Sequence, residues 1–193
     1  MRTQQISDQK LISSYIAGNN ACLEMLIKRH KNRIFTSIVL LVQDQYIAED
    51  IFQETFIKVI KTLRSGKYNE EGKFLPWCIR IARNLTIDYF RKKKRMPKVT
   101  TQEGEDVFEF FQIEEENRET EMIREQSERG LKQLIMSLPK EQREVLILRH
   151  YSDMSFKEIA DMTGVSINTA LGRMRYALSN LRKMTEKSTI RLR

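Results

Sequence analysis

Residues 73–95, KFLPWCIRIARNLTIDYFRKKKR, constrain the fold of this chain more than any other segment. Apolar residues recur in it at the i, i+3, i+4, i+7 spacing of an amphipathic helix. They are Phe74, Trp77, Cys78, Ile81, Ala82, Leu85 and Tyr89. The opposite side is mostly cationic, with Lys73, Arg80, Arg83, Asn84 and Arg91. A helix of this kind packs by one face and offers the other to a polyanion, unless the charged side is only a solvated helix face.

The rest of the chain also favours helices. Its 193 residues include only seven Gly and three Pro, and no apolar–polar alternation suggests a strand. We therefore predict an all-α fold. The first helix begins near Ser7 or Asp8 and ends at Gly18. Further helices span about 20–42 and 46–63, and a loop at 64–72 precedes the basic helix.

Charge divides the chain into three parts. Residues 1–96 hold 18 Lys and Arg against 9 Asp and Glu, and residues 131–193 hold 12 against 6. Residues 97–130 hold only 4 against 11. We predict two basic helical domains, 1–96 and 131–193, joined by an acidic linker at 97–130. The linker is either a disordered spacer or an acidic arm that occupies a channel made for nucleic acid.

The net charge of +8 indicates a nucleic-acid or acidic-membrane partner. No segment is long and apolar enough to span a membrane, and the amino terminus lacks the apolar core of a signal peptide. Cys22 and Cys78 do not make a disulfide framework, and His30 and His150 have no ligand spacing around them. We expect a cytoplasmic protein with no membrane insertion, no metal and no cofactor.

Residues 155–183 follow a helix-turn-helix pattern. Ser155 and Glu158 make a capping box, Ala160 permits a close helix crossing, and Gly164 ends the first helix. Ser166 caps a second helix that is expected to bury Ala170, Met174, Ala177, Leu178 and Leu181. Its other side shows Asn168, Thr169, Gly172, Arg173, Tyr176 and Asn180, with Arg175 and Arg182 flanking. This pattern fits a major-groove reading helix better than a generic helical hairpin.

With both ends considered, the chain resembles the extracytoplasmic-function sigma factors of bacterial RNA polymerase, in the sigma-70 family. Three stretches carry the resemblance: 46–60, 74–95 and 137–178. It implies a non-catalytic subunit that binds core polymerase through the β′ clamp and the β flap and directs it to promoter DNA. The resemblance also implies an anti-sigma factor as a possible partner, and no small-molecule substrate. The sequence departs from many relatives at Leu171 and Gly172, where they carry polar or basic residues.

The resemblance assigns roles to three sets of residues. The core polymerase-binding set, which would otherwise be taken for a solvated face, is Glu49, Asp50, Gln53, Glu54 and Lys58. The minus-ten set, which includes a loop that captures an unstacked base, is Lys67, Tyr68, Asn69, Lys73, Arg80, Arg83, Asn84 and Arg91. We expect Trp77 to be a core residue rather than a melting wedge. The minus thirty-five set is Ser166, Asn168, Thr169, Gly172, Arg173, Arg175 and Tyr176.

Two other classes of function remain to be compared. A stand-alone helix-turn-helix regulator would bind duplex DNA tightly without polymerase, usually as a dimer on a palindrome. An enzyme acting on nucleic acid would need paired carboxylates, a phosphate-binding loop or a nucleophile with its base, and none of these patterns is found. The acidic patch at 49–54 and the RKKKR run favour the sigma factor.

Overall fold

The computed structural model describes residues 6–69, 71–95 and 129–187, and these are helical with no strand among them. The predicted all-α class is confirmed. The helices are α1 (Asp8–Ile16), α2 (Asn20–Val42), α3 (Gln45–Arg64), α4 (Phe74–Arg95), α5 (helical at 129–136), α6 (Lys140–Tyr151), α7 (Phe156–Thr163) and α8 (Ile167–Lys187). Most of the predicted linker, residues 97–128, lies outside the described residues.

Local side-chain chemistry sets most helix ends. Ser7, Asn19 and Asp44 cap α1, α2 and α3, each accepting a hydrogen bond from a backbone N–H of the first turn. Gln43 ends α2 in the left-handed conformation, with φ 58°. Only Gln43 and Asp44 separate α2 from α3, and this short connection holds the two helices side by side.

Helices α1–α4 form the amino-terminal bundle. α2 lies at its centre and packs against α1, α3 and α4. The largest fully buried side chains of this bundle are Leu11, Ile12, Leu26, Ile34, Ile38, Leu40, Leu63, Phe74 and Ile79. His30 belongs to the interior as well, with Nε2 2.8 Å from Oδ2 of Asp8. The bundle thus presents the outer sides of α3 and α4 to its surroundings.

Helices α6, α7 and α8 form the predicted helix-turn-helix with its supporting helix. The capping box of Ser155 and Glu158 is present, and Gly164 ends α7 with φ 69°. Ala160, Ala170 and Ala177 are fully buried where helices cross. The prediction that Leu178 is buried is wrong, because α5 and α6 cover the Ala177 and Leu181 side of α8 and leave Leu178 half exposed.

The two halves of the chain pack directly against each other. α2 contacts α6, and Val145, Leu148, Met154 and Ile159 belong to one apolar cluster with the interior of the amino-terminal bundle. Leu40 is buried against Leu146 and Ile147 instead. Hydrogen bonds reinforce this interface, since Gln43 donates to the carbonyl of Met136 and Arg33 pairs with Asp153 at 2.8 Å. The charge pattern predicted two joined bodies and gave no sign of this contact.

Candidate nucleic-acid interface

The exposed side of α4 carries a line of polar and cationic side chains. Arg80, Asn84 and Arg91 are all exposed, and they recur at intervals of four and seven residues, which places them along one side of the helix. Asp88 lies on the same side, 3.6 Å from Arg91. The terminal run of Lys92 to Arg95 is exposed too. Three members of the predicted minus-ten set therefore share one accessible surface.

Arg83 occupies a different environment from its neighbours. Its side chain is only 12% exposed, and its Nε donates to Oε1 of Glu144 on α6 at 2.6 Å. An arginine that is shielded from solvent is usually paired with a carboxylate. In this arrangement the guanidinium of Arg83 faces the carboxy-terminal helices rather than the cationic line of α4.

Lys73 also contacts the carboxy-terminal helices. Its Nζ lies 2.5 Å from Oε1 of Glu158, the capping-box residue of α7. The hydrogen bond from Lys73, followed by hydrogen bonds from the backbone and side chain of Ser155, lowers the pKa of Glu158 to about 2. The same carboxylate raises the pKa of Lys73. Glu158 therefore stays ionised at neutral pH and neutralises a cation that was predicted to hold DNA.

A cleft of about 320 Å³ opens between the loop that follows α3 and the start of α4. Aromatic rings form part of its wall, with the ring centroids of Tyr68 and Trp77 4.4 Å apart. Pro76 and a set of polar and charged side chains complete the amino-terminal part of the lining: Lys67, Asn69, Glu71, Lys73 and Arg80. Met154 and Glu158 from the other half of the chain line the same cleft. A cleft with aromatic walls and cationic edges is chemically suited to a nucleobase and its phosphate.

Trp77 has a more complex position than the sequence indicated. It is half-buried and packs against the core, next to Phe74 at 6.0 Å between ring centroids. Its contact with the core agrees with the prediction. Its outer part also lines the cleft beside Tyr68, and sequence periodicity does not distinguish the two sides of so large a ring.

The predicted polymerase-binding residues share one side of α3. Glu49, Asp50, Gln53, Glu54 and Lys58 are all exposed, with Glu54 and Lys58 paired at 3.5 Å. The structure adds Tyr46 and Ile57, which are 75% and 50% exposed, to this surface. Four- and seven-residue intervals place them on one line with Asp50 and Gln53. Their exposure as large apolar residues is the signal that sequence reasoning missed.

The first turn of α8 is ordered by its own side chains. The hydroxyl of Ser166 accepts from the backbone N–H of Thr169 at 3.1 Å and lies 2.9 Å from the Thr169 hydroxyl. Asn168, Arg175 and Tyr176 are exposed, whereas Gly172 and Arg173 are half-buried. Asn180 donates to Gln142 on α6. Six of the seven predicted minus thirty-five residues lie on or beside the open side of the helix, and Ser166 acts as its cap.

The described residues contain no cluster of His, Cys, Asp or Glu suited to a metal. Cys78 is fully buried in the amino-terminal bundle, and burial raises the pKa of its thiol. Its position makes it a small core residue rather than a reactive group. Among the described helices, none is long and apolar enough to cross a membrane.

Known proteins match the chain over nearly its whole length. Residues 26–96 match the family "Sigma-70 region 2", and residues 128–181 match "Sigma-70, region 4". The chain is 30% identical over 179 residues to the RNA polymerase sigma-H factor of Pseudomonas aeruginosa, covering 90% of this chain and 91% of that one. It is 27% identical to the ECF RNA polymerase sigma factor SigW of Bacillus subtilis, covering 91% and 95%.

Two solved structures share the fold. CnrH, solved in complex with the cytosolic domain of CnrY, covers 94% of this chain with a TM-score of 0.61 at 20% identity, and 99% of CnrH is covered. RpoE from Bartonella quintana, solved with the anti-sigma factor NepR, covers 85% with a TM-score of 0.60 at 18% identity, and 96% of that chain is covered. The chain belongs to the extracytoplasmic-function group of the sigma-70 family. It is a transcription initiation factor that directs RNA polymerase to promoters, with α2–α4 in region 2 and α6–α8 in region 4.

Proposed function

We propose that this sigma factor binds promoter DNA at two places while it is bound to core RNA polymerase in the cytoplasm, without catalytic chemistry of its own. Residues 1–96 act as the polymerase-binding and minus-ten domain, 97–130 as the acidic linker, and 131–193 as the minus thirty-five domain. The observation that carries the proposal is the continuity of the exposed cationic line on α4 with the cleft beside Tyr68.

The minus-ten role follows from the chemistry of that surface. Arg80, Asn84 and Arg91 contact phosphates and base edges of the separated strand. Tyr68 and Trp77 provide aromatic surface for an unstacked base, and stacking of this kind contributes about 1–3 kcal/mol per base. That gain offsets the few kcal/mol needed to unstack the base. The cations at the cleft edge hold the flanking phosphates.

The polymerase-binding role falls to the exposed side of α3. Tyr46 and Ile57 supply apolar anchors, and Asp50 and Glu54 supply negative charge for a basic partner surface. We assign this side to the β′ clamp and region 4 to the β flap. Because RpoE from Bartonella quintana, which shares this fold, was solved in complex with the anti-sigma factor NepR, we expect an anti-sigma factor to inhibit this chain as well.

Transcription from a promoter library tests the proposal. Purified chain with core polymerase should give sequence-specific initiation, and the chain alone should bind duplex DNA weakly. Arg173→Glu should remove the dependence on the minus thirty-five element and leave core binding intact, whereas Tyr68→Ala should reduce strand opening at the minus-ten element. Tight, palindrome-specific duplex binding without core would identify a stand-alone regulator instead.

A further inference from the structure

No contact among the described residues explains why residue 172 of α8 is a glycine. It lies in the second turn of a long helix, and its φ is outside the left-handed range. A Cβ at this position would meet nothing within 4 Å. Glycine in a helix interior is destabilising relative to alanine, because the unfolded chain has more freedom to lose. A glycine at this position leaves no side-chain atom between the helix backbone and a partner that approaches from outside the chain.

The neighbours of Gly172 are unusual for an exposed helix side. Leu171 is 43% exposed and Ile167, one turn earlier, is 45% exposed. Both are aliphatic, and they lie beside the hydrogen-bonding side chains of Asn168 and Arg175, which are also exposed. The first two turns of α8 therefore present bare backbone at Gly172, with Asn168 and Arg175 beside it and Leu171 next on the same side. Ile167 lies further round the helix, at the edge of its packed side.

The major groove has one apolar group on its base edges, the C5-methyl of thymine. An α-helix fits into this groove, and the amino-terminal residues of a reading helix meet the bases. We infer that Gly172 lets the backbone of α8 lie close to the groove, so that Leu171 contacts a thymine methyl group of the minus thirty-five element. This inference rests on the proposed function, in which α8 reads that element.

Deoxyuridine provides the decisive probe, because it lacks the methyl group and keeps the pairing and the hydrogen-bonding edge of thymine. The experiment uses holoenzyme assembled from the full chain and core polymerase, with the tightest duplex from a randomised minus thirty-five library. Replacing thymines one at a time by deoxyuridine should weaken binding about 3- to 10-fold at one or two positions, as expected for loss of a buried methyl group.

The variants connect this loss to individual side chains. Leu171→Ala should weaken binding to the thymine duplex by a similar factor and become indifferent to deoxyuridine at one position. Leu178→Ala removes an exposed leucine two turns further along α8 and serves as the matched control. It should retain the full thymine preference. Equal preference in Leu171→Ala and in the wild type would overturn the assignment of Leu171.

Gly172→Ala separates fold stability from DNA binding. It should raise the melting temperature by about 2–4 °C, as expected for a chain of this size, and weaken promoter binding several-fold. Promoter binding that stays equal or improves would overturn the close approach.

The outcomes distinguish this inference from the proposed function. If holoenzyme is indifferent to a scrambled minus thirty-five element, the proposed reading by α8 fails as a whole. If scrambling weakens binding and no deoxyuridine substitution does, or if the selected element contains no thymine, only the contact with methyl groups is overturned.

Discussion

Nε of Arg83 lies 2.6 Å from Oε1 of Glu144, and the two side chains are only 12% and 15% exposed. The pair joins α4 of region 2 to α6 of region 4 next to the apolar contact between α2 and α6. An ion pair at this depth is costly to break by removing one partner, because the other charge is left without compensation. The two regions are therefore held by a charged contact as well as by apolar packing.

Removal of Arg83 should loosen the contact between the two regions. Arg83→Ala leaves the largely covered carboxylate of Glu144 without its partner, so the closed arrangement loses population to one in which the regions separate and Glu144 returns to water. Small-angle X-ray scattering should show a larger radius of gyration than for the wild type. The matched control is Arg80→Ala, one turn earlier on the exposed side. Equal radii for both variants would contradict a contact through Arg83 in solution.

Carboxylates of region 4 and DNA phosphates should compete for the same cations. Glu144→Gln and Glu158→Gln each remove a negative charge that faces Arg83 or Lys73. We expect the free double variant to bind a single-stranded minus-ten oligonucleotide several-fold more tightly than the wild type at low salt, since both cations become available to phosphates. Fluorescence anisotropy measures this.

The control for the competition is Glu141→Gln, which makes the same change of charge at an exposed position of α6. If Glu141→Gln improves binding as much as the double variant does, the gain comes from net charge, and competition at Arg83 and Lys73 is excluded. A gain that disappears when Arg83 and Lys73 are also neutralised supports competition.

Local features of this fold were predictable from sequence, whereas the relation between its halves was not. Ser155, Glu158 and Gly164 were placed correctly because capping and left-handed ends depend on residues within one turn. Arg80 and Arg83 lie on the same cationic side in the sequence pattern, yet Arg80 is exposed and Arg83 is largely covered. The difference arises because α6, from the other half of the chain, packs against Arg83. Helical periodicity within α4 does not reveal a contact with a segment distant in sequence.

The candidate site shows the same limit. Exposure of the predicted residues of α3 followed from amphipathic periodicity, and the cleft beside Tyr68 was anticipated only as a loop with one aromatic residue. The contributions of Met154 and Glu158 to that cleft were missed. Glu158 was recognised by its spacing from Ser155 alone, because a capping box is a local motif and the contact with Lys73 joins residues distant in sequence.

The Glu158 carboxylate should titrate in an unusually acidic range. Its pKa is about 2 in the folded chain and 4.5 as an ordinary carboxyl. Because the folded value is the lower one, the stabilisation is complete above about pH 4.5 and is lost as the pH falls towards 2. Carbon-detected NMR titration of Glu158 measures this directly.

Two variants separate the causes of that shift. Lys73→Met should raise the pKa of Glu158 only part of the way to its ordinary value, because the hydrogen bonds from Ser155 remain. Ser155→Ala removes the hydroxyl bond and should raise the pKa while the contact with Lys73 persists. A Glu158 pKa that Lys73→Met leaves unchanged would show that the two side chains do not meet in solution.

Reversal of charge on α3 should abolish polymerase binding and leave the fold intact. Asp50→Lys with Glu54→Lys changes two exposed carboxylates to cations, which would repel a basic surface on the clamp. The helix tolerates lysine at both positions, since neither side chain is buried. Size-exclusion chromatography with core polymerase measures binding, and circular dichroism checks helix content.

The control, Glu24→Lys with Glu141→Lys, applies the same change of charge to exposed positions on α2 and α6. Because salt screens electrostatic repulsion, the variant with Asp50→Lys and Glu54→Lys should recover part of its polymerase binding at high ionic strength. Wild-type binding by this variant at low salt would exclude α3 from the interface.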